Sequence, residues 1–245
     1  LTPLIGAVVI ALLPKRFEDE ARPVALLAGV IALAMALLAV AKFDRGTAGM
    51  QFVEKFAWIP AIDVDYHVGV DGLSILMVLL TAILMPFALM ASARVNKHVR
   101  AYYALMLTTQ AGLFGVFTAL NFFHWFIFWE AGLIPVFFLI KLWGSDGAEK
   151  AALKFFLYTL VGSVTMLLAF QVIYLATGTW SFVTLRDLAS KAEIGTRVAA
   201  LLGQLGLNVT PERAGGLVFL GAFLGFAIKV PIWPFHTWLP DAYSK

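Results

Sequence analysis

Long apolar runs alternate with short polar connections along most of the chain. Seven runs stand out, at roughly 1 to 13, 22 to 41, 72 to 93, 101 to 120, 122 to 142, 155 to 177 and 215 to 239. All but the first reach the ~20 residues that a helix needs to cross ~30 Å of hydrocarbon. The first run, Leu1 to Leu13, lacks a basic leading segment and a small-residue cleavage site, so it reads as a trimmed span and not as a signal peptide. The pattern predicts an all-α transmembrane bundle of about seven helices, a fragment of a longer chain.

Two stretches depart from this pattern. Asp63 to Val70 alternates polar and apolar positions with period two, which predicts a short external strand or hairpin. Lys191 to Leu205 gathers Ile194, Val198, Leu201, Leu202 and Leu205 near one face, with Glu193, Arg197 and Gln204 elsewhere, as in a helix lying flat at a membrane surface. Asp71, just ahead of Gly72 and the third run, is placed to accept from the free N–H groups of a first helical turn, so it reads as a cap.

Composition strengthens the membrane reading. Hydrophobic residues make up 61% of the 245 positions and charged ones 13%, with a mean hydropathy of +0.88. A water-soluble surface cannot be built from that balance. The net charge of +3 would invite a nucleic-acid reading, but the bases sit in the connections and do not interleave with exposed aromatics, so no nucleic-acid partner is expected. Their placement is topological instead. Lys15, Arg16, Arg22, Arg94, Lys97, Arg100, Lys141, Lys150 and Lys154 fall on one side, in short loops or at span ends. Lys42, Arg45, Lys55, Arg186, Lys191, Arg197 and Arg213 are diluted over two long connections on the other. The first side should face the cytoplasm, which turns the amino terminus outward in an inner or cytoplasmic membrane. Cysteine is absent, which excludes disulfides, thiolate zinc sites and iron–sulfur ligation by this chain, and no metal site is expected.

The remaining chemistry lies in a few polar groups inside apolar runs. Glu130, in His124-Trp125-Phe126-Ile127-Phe128-Trp129-Glu130-Ala131, is the one acid at mid-span. A charge there costs about 2.5 to 3.5 kcal/mol on insertion scales, so the group must be neutral, paired or beside hydrated space. A neutral glutamic acid hydrogen-bonded to a neighbouring helix is the structural alternative. Pro135 lacks an N–H for the Ala131 carbonyl, so a bend just beyond Glu130 is expected, although an ordinary kink would read the same way.

Lys229 is the one base inside an apolar run, and Gly221, Gly225 and Lys229 recur at i, i+4 and i+8. That spacing puts two side-chain-free positions and an ammonium on one stripe that a second helix can approach closely. Pro231 and Pro234 then remove two donors, which predicts a broken helix just past the lysine, a device that transporters use around ions. A lysine snorkelling to the interface is the alternative. Histidine supplies weaker candidates: His236 after the break fits a proton relay and a structural hydrogen bond equally, and His124 fits an aromatic belt better than a relay. Lys154, with Tyr158 and Thr159, opens the sixth run and fits a charged helix end better than an extension of a hydrated route. No phosphate loop, nucleophile elbow or paired carboxylates are present.

Three passages carry a family resemblance: Gly69-Val70-Asp71-Gly72-Leu73-Ser74, then Phe128-Trp129-Glu130-Ala131 with Leu133-Ile134-Pro135, and Ala227-Ile228-Lys229-Val230-Pro231-Ile232-Trp233-Pro234-Phe235-His236-Thr237-Trp238-Leu239-Pro240-Asp241-Ala242. Together they resemble the antiporter-like subunits of proton-pumping NADH:quinone oxidoreductase, respiratory complex I, and the last passage is similar to the M-type, or chain 4, members. The resemblance implies an antiporter-like bundle with a broken seventh helix. Residues 1–100 would hold the first three helices with the external hairpin, and 101–245 an incomplete first repeat, helices four to seven. It also implies that Glu130 and Lys229 sit side by side in a proton channel, with His236 in the broken helix. Flavin, iron–sulfur clusters and quinone would belong to partner subunits, this chain would bind no cofactor, and it would act as a non-redox subunit of a hetero-oligomer in the bilayer. Subunits of multi-subunit sodium/proton antiporters and of membrane-bound hydrogenases share the same ancestry and remain alternatives.

Overall fold

The structure, a computed structural model, describes residues 1–244. Its α-helices are α1 (Thr2–Leu12), α2 (Ala21–Lys42), α3 (Gly72–Ala91), α4 (Val99–Thr118), α5 (Phe122–Ala131), α6 (Leu133–Trp143), α7 (Ala148–Thr177), α8 (Phe182–Ser190), α9 (Glu193–Gln204), α10 (Pro211–Lys229) and α11 (Leu239–Ser244). Two strands, β1 (Gln51–Ile59) and β2 (Val64–Val70), pair as a hairpin between α2 and α3. Among the described residues, five helical stretches are long and apolar enough to cross a membrane: Lys15–Lys42, Gly72–Arg94, Phe122–Trp143, Ala148–Thr177 and Pro211–Lys229. The first run forms the shorter apolar helix α1. The fourth forms α4, 20 residues long, in which Arg100, Thr108, Thr109 and Gln110 dilute the apolar character.

The chain divides into two compact units. The first comprises Leu1–Glu54, Val68–Ala119 and Ile127–Ser145. Small residues set its packing: Ala21, Ala25 and Ala28 of α2 meet Ala7 and Ile10 of α1, Met85 and Leu89 of α3, and Tyr103 and Leu107 of α4 in one buried cluster. Asp71 caps α3 as expected. Its Oδ1 accepts from the Ser74 and Leu73 amides at 2.8 and 3.1 Å, and the Ser74 hydroxyl accepts from the Asp71 amide at 2.8 Å. This reciprocal box satisfies donors that a helix start otherwise leaves bare.

The second unit comprises Lys55–His67, Leu120–Phe126 and Asp146–Lys245. Helix α7 starts after Gly147 and ends at Gly178, both with positive φ, at 85° and 74°. Its 30 residues make a rod of ~45 Å, longer than a ~30 Å hydrocarbon layer. The predicted start at 155 was therefore late. The polar turns Ala148 to Lys154 continue the same helix, because Ala, Glu and Lys favour helix outside the apolar layer as well as inside it.

Helix α9 matches the predicted amphipathic segment, with its apolar face folded onto protein: Val198 is buried with Ile173, Ala214 and Val218, and Ile194 and Leu202 pack beside them. Sequence reading missed α8, which is capped by Ser181 accepting from the Thr184 amide at 3.4 Å. The tight turn at Asn121 is tied down by the Phe122 amide donating to Trp180 and the Phe182 amide to Leu120, at 2.8 and 2.9 Å.

Candidate functional site

Helices α5 and α6 derive from one 22-residue span interrupted at Gly132. The cause is local. Pro135 has no N–H to give the Ala131 carbonyl, so the hydrogen-bond ladder skips a rung just beyond Glu130, as the sequence predicts. Within the first unit, α4 approaches this interruption closely because it presents glycine there. A methyl added at Gly112 would lie 3.2 Å from the Gly132 Cα, and one at Gly115 only 2.0 Å from the Phe128 ring. Glu130 itself is half-buried, and its Oε1 is sealed from solvent without a hydrogen-bond partner. Gln110 on α4 is fully buried, and neither its amide nitrogen nor its oxygen is bonded. Burying such groups without partners costs several kcal/mol for a charge and about 1 to 3 kcal/mol for an amide, so they mark a polar place in an apolar layer. Sequence reading missed Gln110, whose signal was one amide in the middle of the fourth run.

In the second unit, α10 and α7 meet along the predicted glycine stripe. Methyls added at Gly221 and Gly225 would lie 2.9 Å from the Ala169 Cβ and 2.6 Å from the Met166 Cβ, and Gly162 of α7 returns the fit with 2.9 Å to the Ile228 Cβ. Lys229, half-buried, is the last residue of α10 and the next step on that stripe. The break that follows rewires two carbonyls. Pro231 cannot donate to Ala227, so the Ile232 amide reaches back to the Ala227 oxygen at 2.8 Å. That leaves the Ile228 carbonyl without its own amide, and the indole of buried Trp238 donates to it at 2.8 Å. Trp238 therefore pins the turn onto the end of α10 directly beside Lys229.

His236 sits in the short helical turn Phe235–Trp238, half-buried, with Nδ1 shielded and unbonded. Lys154 lies two turns inside α7 and forms an ion pair with Asp241 of α11 at 2.7 Å; one turn further on, the Thr237 hydroxyl donates to Tyr158 at 2.9 Å. These two contacts hold the segment after the break against α7. Thr159 is buried and turns its hydroxyl back onto the Phe155 carbonyl at 2.8 Å.

His124 is buried in the first turn of α5, against the rings of Tyr66 at 5.0 Å and Trp58 at 5.8 Å. It belongs to a packed aromatic corner and not to an exposed belt. His67 on β2, which sequence reading passed over, is buried nearby with Nδ1 unbonded. Burial lowers its pKa, the Lys55 ammonium acts in the same direction, and Asp65 opposes them. Glu130 belongs to the first unit, and Lys229, His236, Lys154 and His124 to the second. Among the described residues no cluster of three or more His, Asp or Glu could hold a metal ion.

A chain of membrane-crossing helices, with a mid-span acid at one proline interruption and a base at another, fits an ion-translocating membrane subunit. The sequence profile of the transmembrane family described as NADH:quinone oxidoreductase/Mrp antiporter matches residues 119–245. The chain belongs to that family, and it is an integral membrane protein. It is 41% identical to NADH-quinone oxidoreductase subunit M of Rhodobacter capsulatus over 99% of this chain and 46% of the relative. It is 38% identical to F(420)H(2) dehydrogenase subunit M of Methanosarcina mazei over 100% of this chain and 47% of the relative. A chain of respiratory complex I from Thermus thermophilus has the same fold, with a TM-score of 0.77 and 28% identity over 99% of this chain and 45% of that one. The chain thus spans about half the length of the curated relatives it matches.

Proposed function

We propose that this chain is the amino-terminal part of a membrane subunit that moves protons across the bilayer, driven by electron transfer in partner subunits. The observation that carries the reading is the Glu130 carboxylate, with an oxygen sealed from solvent and unbonded at a helix interruption. A carboxyl group sealed in an apolar layer needs a cation, water or a proton beside it, which a proton path supplies. Lys229 is the proposed cation. In this proposal Glu130 offsets the charge of the protonated lysine, and the lysine passes its proton on when that compensation weakens. His236, Lys154 and His124 are accessory members of the proposed path. The stretch 101–245 would be an incomplete first repeat, helices four to seven, after three leading helices and a hairpin, with the amino terminus outward.

The relatives are named as subunits of an NADH-quinone oxidoreductase and an F(420)H(2) dehydrogenase, which supports partner subunits that carry out electron transfer; in the proposal flavin, iron–sulfur clusters and quinone belong to those partners. Whether NADH or another donor supplies the electrons lies with those subunits. The family description also names antiporters, so sodium/proton exchange is the second reading. The test uses the full-length protein in its native membranes. With NADH as donor, proton uptake into vesicles should persist in sodium-free buffer and fall to background in Lys229→Gln. Uptake that needs a sodium gradient and ignores NADH would replace the first reading with the second.

A further inference from the structure

The first unit contains a polar cavity of about 510 Å³ that the proton path does not use. It lies where α1 and α3 end and α2 and α4 begin. Four apolar helix ends meet there, which places the cavity at a membrane boundary. Its walls include Lys15, Arg16 and Arg22, with Asn96 from the α3–α4 connection. None of the three cations makes an ion pair within 4.0 Å among the described residues, although Glu18 and Asp19 line the same cavity. The Arg22 Nε is shielded from solvent and unbonded. The cavity also receives the start of α4, whose first turn has no side-chain cap and no acid in it. An uncapped helix start attracts anions, and Arg94 and Lys97 on the adjoining connection, with Arg100 in the first turn of α4, add charge of the same sign. Phe17, in the middle of the short turn Lys15–Glu20, is exposed, with the Arg16 guanidinium 4.8 Å above its ring. An exposed aromatic flanked by bases anchors a turn at the headgroup level.

We infer that this cavity binds the headgroup of an anionic, hydroxyl-bearing phospholipid of the phosphatidylglycerol kind. The phosphodiester lies between Lys15, Arg16 and Arg22, and the headgroup hydroxyls donate to Glu18 and Asp19. Three cations without an ion pair account for the anion, the two acids account for the hydroxyls, and the boundary position accounts for a ligand whose tails stay in the bilayer. A free phosphate uses only the cations and gains nothing from the acids.

The test uses the full-length protein, isolated with its accompanying subunits and reconstituted into nanodiscs. The probe is phosphatidylglycerol carrying a photoreactive group near the headgroup, read by peptide mass spectrometry. Peptides covering residues 14–24 and 93–104 should be labelled, and millimolar inorganic phosphate should not compete. Each cation removed should cut the labelling by about fivefold, since one base near a membrane surface contributes about that factor in affinity. Arg22→Gln tests the shielded position, and Lys15→Gln/Arg16→Gln tests two exposed side chains whose loss leaves the packing intact. Arg22→Lys should keep most of the labelling. Equal labelling by phosphatidylcholine or phosphatidylethanolamine probes, labelling unchanged in Lys15→Gln/Arg16→Gln, or competition by phosphate would each overturn the assignment.

Discussion

Replacing Gly225 by alanine probes the architecture beside Lys229 most sharply. The added methyl would sit 2.6 Å from the Met166 Cβ and 2.8 Å from the Gly162 carbonyl oxygen. Both are closer than ordinary contact, and the oxygen belongs to the backbone of α7, which cannot swing aside as a side-chain tip does. Helices α7 and α10 would have to separate, and overpacking of this kind costs about 1 to 3 kcal/mol. Gly216 on the same helix is the matched control, because a methyl there meets nothing within 4 Å. Alanine at that position should stabilise by about 0.5 to 1 kcal/mol through helix propensity alone. The two variants should therefore differ by about 1.5 to 4 kcal/mol, in opposite directions from the parent protein. Intrinsic tryptophan fluorescence during heating of the full-length protein in nanodiscs would report the order of their unfolding midpoints. If Gly225→Ala melts no lower than Gly216→Ala, α7 and α10 do not approach as closely as described, and the placement of Lys229 by that stripe fails.

Three further outcomes follow from single contacts. Trp238→Phe keeps the ring but removes the donor to the buried Ile228 carbonyl; it should cost about 1 to 3 kcal/mol and speed hydrogen exchange at the end of α10, whereas unchanged exchange would remove Trp238 from its role as the pin. The Lys154–Asp241 pair has half-exposed side chains, so a double-mutant cycle should find about 0.2 to 1 kcal/mol of coupling, and the swap Lys154→Asp/Asp241→Lys should recover most of either single loss. His67 is held neutral by burial, so its contribution to the hairpin is complete above the ordinary histidine pKa of about 6.5 and is lost as the pH falls from there through its lowered folded value. Relative to the intrinsic exchange rate at each pH, protection of the strand amides should fall at mildly acidic pH in the parent protein, and His67→Asn should flatten that dependence.

Periodicity and proline placement made much of this molecule legible in its sequence. The Asp71 cap, the hairpin before α3, the interruption after Glu130, the close glycine stripe and the break after Lys229 each depend on residues within a few positions of one another. What stayed hidden depends on distant partners. Lys154 and Asp241 are 87 positions apart, and nothing local tells a lysine on a long helix which acid it meets. Trp238 reads as one more aromatic near a membrane until the proline-freed carbonyl ten residues earlier is seen to need a donor. Gln110 and His67 are single polar residues in ordinary surroundings, and only burial distinguishes them from their neighbours. The start of α7 was misplaced because apolarity was taken as the limit of the helix, whereas helix propensity extends it through the polar turns from Ala148 to Lys154.

The central claim is that Glu130 takes part in proton transfer and does not merely hold helices together. Glu130→Gln preserves size and hydrogen-bonding capacity while removing the titratable proton. In the full-length protein, with assembly verified by native electrophoresis and electron transfer measured in parallel, donor-driven proton translocation by this variant should fall by about a hundredfold or to background, the scale of losing a positioned proton-transfer group. Glu130→Asp should retain part of it. Normal translocation by a correctly assembled Glu130→Gln protein would contradict the account.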